Sequence, residues 1–430
     1  MSDDKRDQRS RRRKLFGAGL RTLGRGARRV LPGYDRAQYW TQSGLDWFDT
    51  LGNLKGAAMK LGQVAAQYQD LLPPELTEQL ARLQRDAQPR PFEQMRTVLD
   101  AAWGPDQWAQ VDSIDETAMA AASIGQVHRA RLADGRAAVV KIRYPEVAGS
   151  VDADVANLGR LLRWSRLLPI DASRLDEVLA EVRDRLAEET DYRIERDNLV
   201  AMRALDLPGF VLPAPVDALS GESVLVMEEV VAERLDGLRE ADQAARDRVG
   251  EALVANLARQ VFTHGLLHAD PHPGNYGLTA DGRVAVYDFG CVKRVAPAEA
   301  EGMRRVLAAS LAHDWAGVHA GLADLGIVNP AAFADESDVF ADIYQRHHHA
   351  AIDAVKAEPF YDFTEGSVIT RLRAEVRADL RHWRRFRPAP ELVFVMRTLS
   401  GMYWLLRGIE ARVPLYDMLE AVADGREDEI

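Results

Sequence analysis

Two short stretches hold residues whose types and order could do chemistry. His268-Ala269-Asp270-Pro271-His272-Pro273-Gly274-Asn275 spaces its polar groups as H-x-D-x-x-x-x-N. Val286-Tyr287-Asp288-Phe289-Gly290 follows as an apolar run ending in Asp-Phe-Gly. A carboxylate at 270 can accept or orient the proton of an attacking hydroxyl. The Asn275 amide and the Asp288 carboxylate supply hard oxygens, the kind that hold magnesium against nucleotide phosphates. The order therefore reads as phosphoryl transfer, with Asp270 catalytic and Asn275 and Asp288 on the metal. A turn rich in capping residues ahead of an unrelated strand would explain either half alone, but not both in succession.

Such a site needs a phosphate-binding cation on a strand, and the chain offers one. Residues 117–145 change to strand periodicity, with Asp134-Gly135 as a hairpin signal and Ala138-Val139-Val140-Lys141-Ile142 after it. Lys141 takes the place of the protein-kinase strand lysine that contacts the α- and β-phosphates. The preceding loop, Ala120-Ala121-Ala122-Ser123-Ile124-Gly125, would lie over the nucleotide through Ala121, Ala122 and Ser123. Alanine there narrows the approach of backbone amides to phosphate, where an ordinary kinase has glycine. A helical glutamate must hold the lysine forward. Glu195 is the choice, although a solvated face would equally explain any one glutamate in so acidic a helix. Val211–Pro215 and Val224–Met227 read as strands, and Glu228-Glu229-Val230 as the hinge facing adenine, with Met227 behind the ring. Met227 as core filler is the equal alternative.

The rest of the chain positions these groups. Residues 35–70, Glu75 to about Gln84, and Phe92 to Ala102 read as helices preceding the kinase-like pattern. Residues 151–204 read as two helices, and one from about Arg246 to His264 leads into the His268 motif. After Gly290 only Cys291 to Val295 intervene before Pro297 opens a helix, so the long segment on which protein kinases seat a peptide is missing. Residues 297–430 are nearly all helix, with loops expected at 355–365 and 387–390. His347-His348-His349 point about 100° apart on a helix, which suits a polar face rather than one shared ion. Cys291 reads as a small packing residue.

Composition bounds the partners. With 47% apolar and 28% charged residues the chain is an ordinary globular protein, and its single cysteine fits a reducing cytoplasm. The most apolar run, Leu392–Leu406, is too short to span a membrane and carries Arg397. Residues 1–29 hold eleven Lys/Arg against three Asp, about +8, so the remainder carries about −19 of the net −11. An acidic body of this kind is not a nucleic-acid binder. The basic arm, with Leu15, Phe16, Leu20 and Leu23 interspersed, could touch anionic lipid from the cytoplasmic side, or nucleic acid, or be a solvated tail.

Taken together, Lys60-x-Gly62-Gln63, Ala120 to Ser123, the Lys141 strand, Glu189-x-Asp191, Glu195 with Asn198, His268 to Asn275 and Asp288-Phe289-Gly290 resemble the UbiB/ADCK (AarF-like) atypical protein-kinase-like family. The resemblance spans about residues 50 to 295. It implies an α+β, two-lobed protein-kinase-like fold with a helical N-terminal extension and a helical C-terminal region. The expected divisions are a basic arm at 1–34, the extension at 35–112, a small lobe at 113–231 and a large lobe at 232–430. It implies that Lys60, Gly62 and Gln63 occlude the substrate cleft, that Glu189 and Asp191 anchor them, and that Glu195 pairs with Lys141. It also implies ATP and Mg as cofactors and a role near ubiquinone or other isoprenoid-lipid metabolism. The acceptor would be a lipid, a small molecule or water rather than a peptide. Two alternatives remain open at this point. One is a small-molecule hydroxyl kinase, whose catalytic loop also carries the His272 position. The other is a non-catalytic, nucleotide-sensing scaffold or chaperone for a lipid-biosynthetic assembly.

Overall fold

The structure, a computed structural model, describes residues 89–121, 124–145, 190–328, 337–379 and 390–430, with scattered positions between them. Its contacts divide the chain into two compact units, Met1–Asp197 with Pro215–Glu229, and Asn198–Ala214 with Val230–Ile430. The first begins with α1 (Phe92–Ala102), followed by strands β1 (Val111–Ala121), β2 (Gly125–Leu132) and β3 (Ala137–Arg143). Helix α2 (Tyr192–Arg203) starts in the first unit and ends in the second. The second unit takes β4 (Phe210–Val211), and the chain returns to the first for β5 (Val224–Glu228).

The first unit is built on an antiparallel sheet ordered β1-β2-β3-β5. Side chains alternate across a strand. In β3, Ala138, Val140 and Ile142 are fully buried and share one core with Met95, Leu99 and Trp103. Met95 and Leu99 are four residues apart, on one stripe of α1, and burying each contributes about 2 kcal/mol. The α1 segment, expected as the end of a separate extension, therefore shares the core of the sheet. By the same alternation, Val139 and Lys141 face the other side. Gly135 closes the β2–β3 turn at φ +88°, a conformation that excludes most side chains. Gly125 is set by close packing. A Cβ there would lie 2.4 Å from the Ile142 carbonyl oxygen and 2.5 Å from the Tyr192 hydroxyl.

In the second unit, β6 (Glu233–Arg234) precedes α3 (Gln243–Ala258), which Asp242 caps by accepting from the Ala245 N–H at 2.7 Å. That cap starts the helix three residues before Arg246. A single π-helical turn, Arg259–Thr263, then leads into β7 (Leu266–His268). Strands β8 (Tyr276–Leu278) and β9 (Val284–Val286) join β4 and β6 in a sheet ordered β4-β9-β8-β6. The segment after Gly290 is a strand, β10 (Val292–Arg294), paired antiparallel with β7. Helices α4 (Pro297–Leu311), α5 (Trp315–Asp324) and α6 (Ser337–His348) follow. The stretch expected as loop at 355–365 contains β11 (Tyr361–Asp362). After α7 (Ser367–Ala378) and α8 (Pro390–Gly408), β12 (Arg412–Val413) pairs with β11, and α9 (Leu415–Ala423) completes the unit. Proline 390, placed in a loop by its type, opens α8, a position where its missing N–H costs nothing.

Candidate active site

Lys141 and Glu195, 54 positions apart, meet in the first unit. Lys141 Nζ donates to Glu195 Oε1 at 2.7 Å and to Oε2 at 2.8 Å. The side chains are 9% and 6% exposed, so two charges that would be costly alone neutralise each other out of water. The β3 pleat delivers the lysine, and the first turn of α2 delivers the glutamate. The Tyr192 ring, with its centroid 5.3 Å from Nζ, adds a π face to the ammonium's surroundings.

The second unit gathers the His268 motif and the Asp-Phe-Gly turn. His268 ends β7 and its Nε2 lies 2.6 Å from the Asp288 carbonyl oxygen. A carbonyl only accepts, so Nε2 carries the proton and Nδ1 accepts from the Tyr276 hydroxyl at 3.2 Å. The imidazole thus ties the loop containing Asp270 to the strand end containing Asp288. Burial, with the Asp270 charge adding to it, pushes the Tyr276 hydroxyl well above its usual pKa and keeps it a neutral donor. Asn275 Nδ2 donates to the Asp270 backbone oxygen at 3.0 Å and to its Oδ2 at 2.9 Å. Asp288 Oδ1 accepts from the Gly290 N–H at 3.0 Å, which fixes the turn, and Phe289 is fully buried against the His268 ring. Asn198 Nδ2 donates to the Phe289 carbonyl at 2.9 Å, so this residue of the sequence pattern braces the turn.

These donors fit magnesium. With its nitrogen committed to Asp270, Asn275 can offer a cation only its amide oxygen, and Asp288 offers a carboxylate. Magnesium is commonly held by one or two carboxylates together with substrate phosphates. Among the described residues no cluster of three or more His, Cys, Asp or Glu could hold a metal by itself. A partial oxygen set completed by nucleotide phosphates suits that chemistry.

The remaining expected residues are distributed as follows. Ala121 ends β1 opposite Gln126, and Met227 is buried opposite Val139. Glu228 closes β5 and accepts from Arg136 Nη1 at 2.8 Å, while the Glu229 N–H donates to the Ala137 oxygen at 3.0 Å. Val230, half-buried, begins the second unit's segment. Asp191 is paired with Arg193, Nη2 to Oδ2 at 2.7 Å, and that guanidinium holds its carboxyl below the usual range. Lys60, Gly62, Gln63, Ala122, Ser123 and Glu189 lie outside the described residues, as do the basic arm and the helices expected before residue 89. The three histidines do not form one polar face. His348 is buried, with Nδ1 2.9 Å from the Ser310 hydroxyl and its ring 5.5 Å from that of Trp315.

Sequence reasoning passed over Arg397. Its Nη2 donates to Asp270 Oδ1 at 3.1 Å from α8, 127 positions away. The available signal was its place as the one charge in the apolar run Leu392–Leu406.

The fold and these pairings define a protein-kinase-like protein, and comparison with known proteins agrees. Residues 82–321, more than half of the chain, match the ABC1 atypical kinase-like domain. The chain is 30% identical over 420 residues to rat "Atypical kinase COQ8B, mitochondrial", covering 94% of this chain and 77% of the rat protein. To Caenorhabditis elegans "Atypical kinase coq-8, mitochondrial" it is 27% identical over 402 residues, covering 91% of this chain and 52%, about half, of the nematode protein. A solved Mycobacterium tuberculosis protein, Rv3197 in complex with erythromycin, superposes with a TM-score of 0.62 at 25% identity, over 90% of this chain and 97% of that one. The chain belongs to the ABC1 atypical kinase-like family, the group also called UbiB/ADCK.

Proposed function

We propose that this protein binds Mg-ATP and uses it as an atypical kinase or ATPase, passing the γ-phosphoryl group to a lipid, a small molecule or water rather than to a peptide. The observation that carries the reading is the bidentate, buried Lys141–Glu195 pair. In kinase chemistry such a pair holds the lysine toward the α- and β-phosphates. A merely structural pair gains little over apolar packing. Asp270 orients the attacking hydroxyl or water and takes its proton. Asn275 and Asp288 would hold magnesium, which would supply neutralisation of phosphate charge. His268 keeps Asp270 and Asp288 in register, and Met227 and the Glu228–Val230 segment are assigned to the adenine.

The acceptor class is argued from the segment after Asp288-Phe289-Gly290. It passes at once into β10, paired with β7, and then into α4, leaving no stretch on which a peptide could be seated. By family analogy the acceptor or effector belongs to isoprenoid-lipid or quinone-related metabolism. Residues 1–29 would give peripheral contact with an anionic membrane, and Lys60, Gly62 and Gln63, anchored by Glu189 and Asp191, would guard the cleft. No helix among the described residues is long and apolar enough to cross a membrane. A small-molecule hydroxyl kinase has no need of that guarding set.

The test is Mg-ATP binding by calorimetry and ADP release, with and without isoprenoid-lipid additives, in the wild type and Asp288→Asn. We expect magnesium-dependent binding that Asp288→Asn weakens at least tenfold, with turnover rising when an additive is present. Binding without turnover under every condition would move the protein to the non-catalytic scaffold reading, which the alanines at 120–122 favour by narrowing the approach to phosphate. No magnesium-dependent binding would sink both.

A further inference from the structure

We propose that Arg397 is a positioning residue of the phosphoryl-transfer site, fixing the carboxylate of Asp270 from the C-terminal helix α8. The proposal rests on the kinase/ATPase reading above and adds to it a residue well beyond the matched domain, which ends at 321.

Four observations carry it. First, the two Asp270 oxygens are held from opposite sources. Asn275 takes Oδ2 at 2.9 Å from within the loop, and Arg397 takes Oδ1 at 3.1 Å from α8. A carboxylate rotates freely about its terminal torsion unless both oxygens are engaged, so Arg397 completes what Asn275 begins. Second, α8 is pinned to this loop one turn further on. Gly401, four residues after Arg397 and on the same helix face, packs so closely that a Cβ there would lie 2.5 Å from Pro271 Cγ. That contact sets how far the guanidinium reaches. Third, α8 also meets the segment after the Asp-Phe-Gly turn, where Lys293 Nζ stands 5.2 Å from the Phe394 ring centroid. The helix therefore braces both loops of the site. Fourth, among the described residues the one hydrogen bond that the Arg397 guanidinium makes is to Asp270. Thr398 beside it is buried and bonds its own helix, the Oγ1 donating to the Phe394 oxygen at 2.8 Å, so the neighbouring polar group does not share the task.

Arg397 acts through Asp270 on the orientation of the attacking group, and nucleotide binding does not depend on it. Full-length wild type, Arg397→Ala and Arg397→Lys are compared for ADP release, for Mg-ATP dissociation constant and for thermal unfolding. A misaligned catalytic group costs up to about 100-fold. We expect Arg397→Ala to lower kcat about 10- to 100-fold while the dissociation constant stays within about twofold. Arg397→Lys should recover part of the loss, and added guanidinium ion at non-denaturing concentration should raise the turnover of Arg397→Ala but not that of the wild type. If Arg397→Ala does not fold, the Lys variant decides by the same split. Wild-type kcat in the variants overturns the proposal and leaves the Mg-ATP reading standing. Parallel loss of binding and turnover, with no rescue by guanidinium, also overturns it by marking a packing role. Absence of ADP release from a wild type that binds Mg-ATP defeats the catalytic reading and this proposal together.

Discussion

Each unit holds its own cation–carboxylate pair, and the two pairs live in different surroundings. Lys141–Glu195 is 9% and 6% exposed, whereas Arg397–Asp270 is 21% and 35% exposed. In the first, neither charge can recover its hydration if the other is removed, so the pair is an all-or-none feature of its core. In the second, solvent screens the attraction, and the pair contributes little to stability. The contrast suits the proposed tasks. A phosphate-binding lysine must stay in one place whether or not nucleotide is present, while a group that exchanges protons with an acceptor must be reachable.

The largest expected effect breaks the first pair. Lys141→Met takes the ammonium away from the buried Glu195 carboxylate and should cost about 3–5 kcal/mol in denaturant unfolding, with loss of Mg-ATP binding. A loss below about 1 kcal/mol would mean that Glu195 finds water, and the contrast between the units would fall. A second variant separates burial from location. Arg304 in the second unit holds the buried Glu427 through two 2.8 Å bonds, and this holds the Glu427 carboxyl below its usual range. Arg304→Ala should cost about 3 kcal/mol near neutral pH. The depressed carboxyl means that this stability is present above the unfolded pKa and is lost as pH falls through the folded one. A cost independent of pH between 7 and 3 would contradict the assignment.

Asp270→Asn addresses the more exposed pair, and its unfolding free energy should change by less than about 1 kcal/mol while ADP release falls at least 100-fold. Unfolding curves and turnover on the same preparation check both halves; a stability loss comparable to Lys141→Met would erase the distinction. The smallest effect concerns His348. Burial holds its pKa below the ordinary value near 6.5, with Asp353 opposing. The neutral form is the folded one, so stability is complete above the unfolded pKa and is lost as pH falls below it. His348→Gln should flatten the decline in urea midpoint between pH 7.5 and 5.5, and an unchanged slope would refute the attribution.

Much of this was legible without coordinates, and the reason is local. A hairpin needs a residue that tolerates φ +88°, and Asp134-Gly135 announces it. The β3 pleat needs apolar side chains on alternate positions, and Ala138, Val140 and Ile142 supply them. The Asp270 to Asn275 bonds close within one short loop, so two residues that the spacing singled out together do meet. Segment types were less secure where packing overrides propensity. Residues 361–362 form a strand only because 412–413 lie beside them, and α1 belongs to the sheet's core because Met95 and Leu99 find Val140 and Ile142 there.

The sequence by itself determined the inventory of this protein: a strand lysine at 141, a loop aspartate at 270, an amide at 275 and a carboxylate at 288, and only a few residues between the Asp-Phe-Gly turn and the helix that Pro297 opens. Tertiary structure alone decided the partners. Glu195, one of several glutamates that the sequence offers near α2, enters the buried space beside Lys141. Of a hydrophobic helix 127 positions from Asp270, one arginine reaches its carboxylate. Long-range pairs depend on where two backbones come to rest, and spacing along the chain carries no measure of that distance.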